Sequence, residues 1–231
     1  MSSVAIDSQL HKAIHFYQAA IGKKVVMAVT GVVLFGYLVG HLAGNLQVYL
    51  GQERMDNYAA FLHATPVLLW SVRALLLVSV VLHIVASIQL TRLKQEARPT
   101  GYVKKEAIAS SYASRTMMWS GPIILVFVIY HILDLTTGTA GTTQFRDLRA
   151  YENLIYSFRR IPVSAFYIFA MVLLGMHLYH GLWSMVQSVG FSHPRYTPAI
   201  KRAAAWVSIL LVAGFISIPI AVLTGLVGSN L

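Results

Sequence analysis

Residues 25–50 of this 231-residue chain read VVMAVTGVVLFGYLVGHLAGNLQVYL, a run without Asp, Glu, Lys or Arg. At 1.5 Å per residue the run forms a helix of about 39 Å, which is longer than a hydrocarbon core of about 30 Å. Its apolar residues are continuous instead of alternating, which excludes a strand of a membrane β-barrel. The run therefore predicts a transmembrane helix.

Four more long apolar runs follow, at residues 66–90, 117–137, 162–189 and 203–227. Only 11% of the residues are charged, less than half of the roughly 25% that is usual in soluble domains. We predict an all-α membrane protein, a bundle of five transmembrane helices that forms one domain over residues 1–231. Because the chain has no cysteine, it can supply no thiolate ligand to a metal or an iron–sulfur cluster.

Positive charges lie mostly on one side of the predicted spans. The chain has 18 Lys and Arg against 8 acidic residues, a formal net charge of +10. Twelve of the basic residues fall in the N-terminal segment and in the loops at residues 91–116 and 190–202, and five fall in the loops on the other side. The positive-inside rule then places the N-terminus in the cytoplasm. The charge therefore indicates membrane topology and not nucleic-acid binding, and the loop at residues 91–116 is a candidate for docking a partner or binding anionic headgroups.

Five of the nine histidines lie inside the predicted spans. An ionisable side chain in a membrane is costly and is a functional-site hypothesis by default. His41 and His131 lie about 12 and 10 Å from the outer ends of their helices, and His83 and His177 about 26 and 22 Å. The four histidines thus form two pairs at two depths. His180, at about 27 Å, matches His83 about as well as His177 does.

Two imidazoles that face each other across a bundle suit a six-coordinate b-type haem, which takes one axial nitrogen on each face. A bare zinc or copper ion would draw three or four ligands to one level, and we expect no carboxylate, thiolate or third histidine to join either pair. We therefore predict two b haems, one ligated by His41 and His131, the other by His83 and either His177 or His180.

Arg73 lies one and a half to two turns inside the second span, where an unpaired guanidinium is expensive. A haem propionate is a suitable bidentate partner, and snorkelling to the outer headgroups is the alternative. Several glycines share the spans with the histidines and could make room for a macrocycle or for another helix. They are Gly31, Gly36, Gly40, Gly44, Gly121, Gly175 and Gly181.

Four segments carry a resemblance to a known family: GHLAGNLQ at residues 40–47, Arg73 with LHI at 82–84, SG at 120–121 with YHI at 130–132, and HLYHGLWS at 177–184. They resemble the single-subunit, five-helix, di-haem cytochrome b anchor of succinate dehydrogenases and fumarate reductases, over nearly the whole chain. The resemblance implies that the first and third helices ligate the outer haem, and the second and fourth the inner one.

The resemblance also implies a choice on the fourth helix. In related anchors the ligand precedes a glycine by four residues, and Gly181 stands four residues after His177. His177 is then the ligand, and His180 contacts a propionate, a quinone headgroup or a packing neighbour. Some members carry a glutamate two residues before this ligand, whereas this chain has Gly175.

By the same resemblance, the chain passes electrons between an iron–sulfur subunit on the cytoplasmic face and membrane quinone, with menaquinone the expected type, in the bacterial cytoplasmic (inner) membrane. A flavoprotein subunit would interconvert succinate and fumarate, because this chain has no dinucleotide fingerprint and no plausible dicarboxylate site. Two alternatives stay open: the cytochrome b of another quinone-linked dehydrogenase or hydrogenase, and a transporter that uses intramembrane histidines.

Overall fold

A computed structural model of the chain describes residues 17–97, 112–141, 144–188, 190–229 and 231. Five helices in this part of the chain are long and apolar enough to cross a membrane. They are α1 (Ala20–Asn45), α3 (Pro66–Glu96), α4 (Tyr112–Leu135), α6 (Ile161–Ser188) and α7 (Thr197–Leu223). Two shorter helices are α2 (Gln52–Ala64) and α5 (Ala150–Phe158). The predicted all-α membrane fold with five spans is confirmed.

The helix boundaries differ from the predicted spans at several ends. The first α-helix ends at Asn45 and continues as a 3₁₀ turn over Leu46–Leu50, after which Gly51, at φ 95°, redirects the chain. Helix α3 continues to Glu96, beyond the predicted end at residue 90, and α7 starts at Thr197 instead of residue 203. The prediction ended each span where the apolar run ended, but backbone hydrogen bonding continues a helix into polar sequence.

Helices α2 and α5 occupy segments that the sequence analysis treated as loops, and they contact each other at one end of the bundle. The Tyr151 amide donates to Asp56 Oδ1 at 3.0 Å, and Gln52 Nε2 donates to Glu152 Oε1 at 2.8 Å. We call this the outer end, after the predicted topology. The opposite, inner end includes the loop at residues 91–116, of which residues 98–111 lie outside the described part, so its proposed docking role stays a prediction.

Helix α6 lies at the centre of the packing, between α4 and α7, while α1 packs along α3 and also touches α6 and α7. In lipid there is little hydrophobic driving force for helices to associate, so association depends on close packing. Small residues at the contact allow that close approach. A Cβ added at Gly175 of α6 would lie 3.0 Å from Val212 Cγ2 of α7. The position where some related anchors carry a glutamate is here a helix contact.

The buried core is concentrated along α6 and under the outer end. It contains Tyr151, Leu154, Ile155, Phe158, Tyr167, Ala170, Met171, Leu174, Leu178, Leu211, Ile218 and Val222. Helix α3 buries only Ser79 and Ala86, so most of its apolar side chains face outward, where lipid would cover them.

Candidate functional site

The outer pair of histidines joins α1 to α4. The ring centroids of His41 and His131 lie 5.7 Å apart, with their planes at 88°. Aromatic side chains form the walls: the Phe127 ring lies 5.7 Å from that of His131, and the Phe215 ring 6.0 Å from that of His41. The two imidazoles therefore face each other in apolar surroundings.

The inner pair joins α3 to α6. The ring centroids of His83 and His177 lie 6.3 Å apart, with their planes at 54°. Within the described residues, α1 and α4 do not pack closely against each other, and neither do α3 and α6. Each pair of rings therefore approaches across a space between helices. The structure brings together the same two pairs that helix depth predicted.

Each of the four imidazoles has a hydroxyl group within hydrogen-bond distance of its Nδ1. The partners are Tyr37 Oη for His41 at 3.5 Å, Thr30 Oγ1 for His83 at 3.0 Å, Tyr167 Oη for His131 at 3.3 Å, and Ser120 Oγ for His177 at 3.5 Å. A ring nitrogen that is engaged in this way directs the other nitrogen, Nε2, as the ligand. Four independent hydroxyl groups thus orient four imidazoles.

Two of these hydroxyl groups also determine which ring nitrogen carries the proton. Thr30 Oγ1 donates its single proton to the Val26 carbonyl at 2.8 Å, so it can only accept from the imidazole of His83. Tyr167 Oη donates to Asp134 Oδ2 at 3.1 Å, so it can only accept from His131. In both histidines Nδ1 therefore bears hydrogen and Nε2 presents a lone pair.

The spacing of the rings fits one metal ion between them. A metal bond to an imidazole nitrogen is about 2 Å long and that nitrogen lies about 1 Å from the ring centre, so an ion between facing rings separates the centroids by about 6 Å. The observed separations are 5.7 and 6.3 Å. No cluster of three or more His, Cys, Asp or Glu side chains suited to a bare metal ion occurs in the described ranges. The donor set suits an ion whose remaining ligands come from a macrocycle.

Six of the seven glycines that share the predicted spans with the histidines divide into two groups. A Cβ at Gly36, Gly40, Gly121 or Gly181 would meet no atom within 4 Å, so space is open beside them. A Cβ at Gly44 would instead lie 2.8 Å from Tyr58 Cε1, and Gly175 contacts α7. Glycine makes room for helix packing at some positions and borders open space at others.

The His180 ring packs against Trp183, with ring centroids 5.3 Å apart, whereas the ring that lies against His83 is that of His177. His180 Nδ1 and Trp183 Nε1 are both buried, and neither has a hydrogen-bond partner among the described residues. The Lys201 ammonium lies 4.5 Å above the Trp183 ring. These three side chains form a separate polar cluster near the inner end, which we call the inner cluster.

Arg73 lies on α3 and is half-buried, with its guanidinium 4.9 Å from the Trp70 ring. It is close enough to Tyr37, the hydroxyl partner of His41, to interact with it electrostatically. No described carboxylate forms an ion pair with it. Arg73 therefore stands near the outer pair with its charge uncompensated by the side chains that the structure describes.

Asp134 was not singled out by the sequence analysis, although it is the one acidic residue within the five predicted spans. It is 1% exposed and forms an ion pair with Arg160 at 2.6 Å. It also accepts hydrogen bonds from Ser157 and Tyr167. Asp134 thus reaches His131 through Tyr167.

A family model described as "Succinate dehydrogenase/Fumarate reductase transmembrane subunit" matches residues 97–217, slightly more than half of the chain. The matched segment contains His131, His177 and Asp134. No curated protein and no solved structure matches the chain.

Proposed function

This chain belongs to the family of succinate dehydrogenase/fumarate reductase transmembrane subunits, and from that membership we propose that it carries electrons between an iron–sulfur subunit and membrane quinone through two b haems. Family membership makes it the membrane anchor subunit of such a complex. The observation that supports the haems is the set of two facing histidine pairs, each with Nδ1 engaged by a hydroxyl group. Family membership also favours this complex over a hydrogenase or formate dehydrogenase cytochrome and over a transporter.

The four histidines would hold the haems, His41 with His131 near the outer end and His83 with His177 deeper in the bundle. A bound b haem supplies one-electron transfer by a change in the oxidation state of its iron. The chain itself supplies the axial nitrogens, directs them through the Nδ1 contacts, and surrounds the outer pair with aromatic side chains.

Arg73 is suited to bind a carboxylate of the outer haem. Its guanidinium offers paired N–H donors, which match a carboxylate in a bidentate arrangement. A propionate there would compensate a charge that is costly within a membrane span. Tyr37 lies near Arg73 and also contacts His41, so Arg73 stands close to the outer pair.

The inner cluster is suited to bind an acceptor oxygen. Trp183 Nε1 is a donor only, and it is buried without a partner among the residues that the structure describes, which costs free energy until an acceptor arrives. A quinone carbonyl and a propionate of the inner haem both provide such an acceptor, and the His180 variant discussed below distinguishes them. The quinone we expect is menaquinone.

The proposed complex contains a flavoprotein subunit that interconverts succinate and fumarate, and an iron–sulfur subunit on the cytoplasmic face. The protein is a multi-pass membrane protein by its five spans and its family. The distribution of Lys and Arg favours a cytoplasmic N-terminus, and we propose the bacterial cytoplasmic membrane as its location.

The test is a haem determination on the purified complex, by pyridine haemochrome assay and visible redox titration. We expect two b haems per copy of this chain. His41→Ala should remove one of them and His83→Ala the other. The control is His63→Ala, because His63 is exposed and its hydrogen bond within the described residues is to Ala59 O of its own helix. A wild-type complex with one haem or none would contradict the proposal.

A further inference from the structure

Within the described ranges, the buried carboxylate of Asp134 is connected to one of the four proposed ligands and not to the others. Tyr167 Oη lies 3.3 Å from His131 Nδ1 and donates to Asp134 Oδ2 at 3.1 Å. Since the phenol has one proton and gives it to the carboxylate, its oxygen accepts from His131. The result is a continuous chain from imidazole to phenol to carboxylate.

These hydrogen-bonded side chains are shielded from solvent. Tyr167 is 5% exposed and Asp134 1%. Arg160 donates to Asp134 Oδ1 at 2.6 Å and Ser157 donates to Oδ2, so the carboxylate is held from α5, from the α5–α6 turn and from α6. The position of His131 therefore depends on contacts that join three consecutive helices.

The hydroxyl groups beside the other three histidines make different onward contacts. Thr30 and Ser120 donate to backbone carbonyls, those of Val26 and Met117. Tyr37 lies on the same helix as His41, at 3.5 Å from Nδ1. In the described part of the chain, the His131 partner is the only one of the four hydroxyl groups that donates to a charged group. The outer pair is thus asymmetric.

We propose that Asp134 and Tyr167 are positioning residues for His131, forming a relay that orients its imidazole and lowers the reduction potential of the outer haem. This inference rests on the proposed function, because it concerns an outer haem held by His41 and His131. A carboxylate behind a ligating imidazole increases its electron donation to the metal. Stronger donation stabilises the ferric state, so the potential falls.

The test is a visible redox titration of the purified complex, in which the outer haem is the one that disappears in His41→Ala. Tyr167→Phe removes the relay but retains the ion pair between Asp134 and Arg160. We expect the outer midpoint to rise while the inner one is unchanged. A tenfold change in the ferric/ferrous equilibrium corresponds to about 59 mV for a one-electron couple.

Tyr37→Phe is the matched control, because it removes a phenol from the other ligand of the same haem, where no carboxylate follows. Its effect on the outer midpoint should be smaller. The low-spin electron paramagnetic resonance signal of the outer haem should also change in Tyr167→Phe. The imidazole planes of His41 and His131, which lie at 88° to each other, would then no longer be held at that angle. Selective loss of the outer haem in Tyr167→Phe would support the same relay.

Asp134→Asn completes a double-mutant cycle. In that background, Tyr167→Phe should shift the outer midpoint less than it does in the wild-type chain, because the carboxylate end of the relay is gone. If Asp134→Asn does not assemble, Tyr167→Phe and its control decide the question alone.

The outcomes separate the relay from the proposed function. A wild-type complex without haem would overturn both. Two haems in the wild type, together with an unchanged outer midpoint and signal in Tyr167→Phe, would overturn the relay alone. Equal shifts in Tyr37→Phe and Tyr167→Phe would also overturn it, because the carboxylate would then have no separate effect.

Discussion

Replacing Thr30 by valine should weaken the hold on the inner haem with little change in the fold. Valine has the shape of threonine without its hydroxyl group. Thr30 is 5% exposed, and its Oγ1 accepts from His83 Nδ1 at 3.0 Å while donating to the Val26 carbonyl. In Thr30→Val, the His83 ring loses its hydroxyl partner and keeps, within the described residues, only its hydrogen bond to the Met27 backbone, so its orientation is held less firmly.

The cost can be estimated from the effect of residues that orient metal ligands. Loss of a residue that orients a metal ligand typically reduces metal affinity about 10- to 100-fold, equivalent to about 1.4–2.8 kcal/mol. By contrast, hydrogen bonds between membrane helices contribute only about 0.6 kcal/mol on average to bundle stability. The effect should therefore be seen in haem retention and hardly in unfolding.

The assay mixes the purified complex with excess apomyoglobin, which takes up released haem, and follows each b haem by its spectrum. Thr30→Val should release the inner haem about 10- to 100-fold faster, if the change lies in dissociation, and leave the outer haem unaffected. Thr30→Ser keeps the hydroxyl group and is the control. Wild-type release rates in Thr30→Val, or faster loss of the outer haem, would refute the argument.

Two further predictions concern α6. His177→Ala should remove the inner haem and leave the outer one, whereas His180→Ala should keep both haems and slow succinate:quinone turnover. Optical spectra and activity assays check both expectations. Retention of both haems in His177→Ala would transfer the ligand role to His180. Normal turnover with an altered inner-haem spectrum in His180→Ala would instead indicate a propionate contact. Gly175→Ala should lower the thermal unfolding midpoint only slightly, because the cost of about 1–3 kcal/mol for a Cβ at 3.0 Å from Val212 Cγ2 is partly offset by about 1 kcal/mol of helix propensity. Adding Val212→Ala should restore most of the loss, and no recovery would contradict the packing argument.

The pairing of the histidines was predictable because membrane spans are nearly straight and alternate in direction. Under those conditions the number of residues from a helix end converts directly into depth. Two histidines at equal depth on different helices can meet only if their helices face the same space. Depth therefore predicted the pairs, although it did not distinguish His177 from His180, which the position of the His180 ring beside Trp183 separates in the structure.

Asp134 shows why part of the site was not predicted. An acidic residue in a span is a visible signal, and one helical turn separates it from His131. Its partners Ser157, Arg160 and Tyr167 lie 23 to 33 residues further along the chain. These side chains converge on Asp134 because of where the chain turns between α5 and α6 and how α6 packs against α4. No local pattern of residues specifies either feature.

The sequence by itself determined the class of fold, the number of spans and the depth of each intramembrane histidine, because apolar run length and helix rise are local properties. Only the tertiary structure decided which hydroxyl group faces each imidazole, which histidine of α6 faces His83, and that α6 and α7 meet at Gly175. These depend on helix rotation and on interhelical distance. Rotation and distance result from side-chain packing between segments far apart in the chain, where small residues allow close approach and buried polar groups require partners.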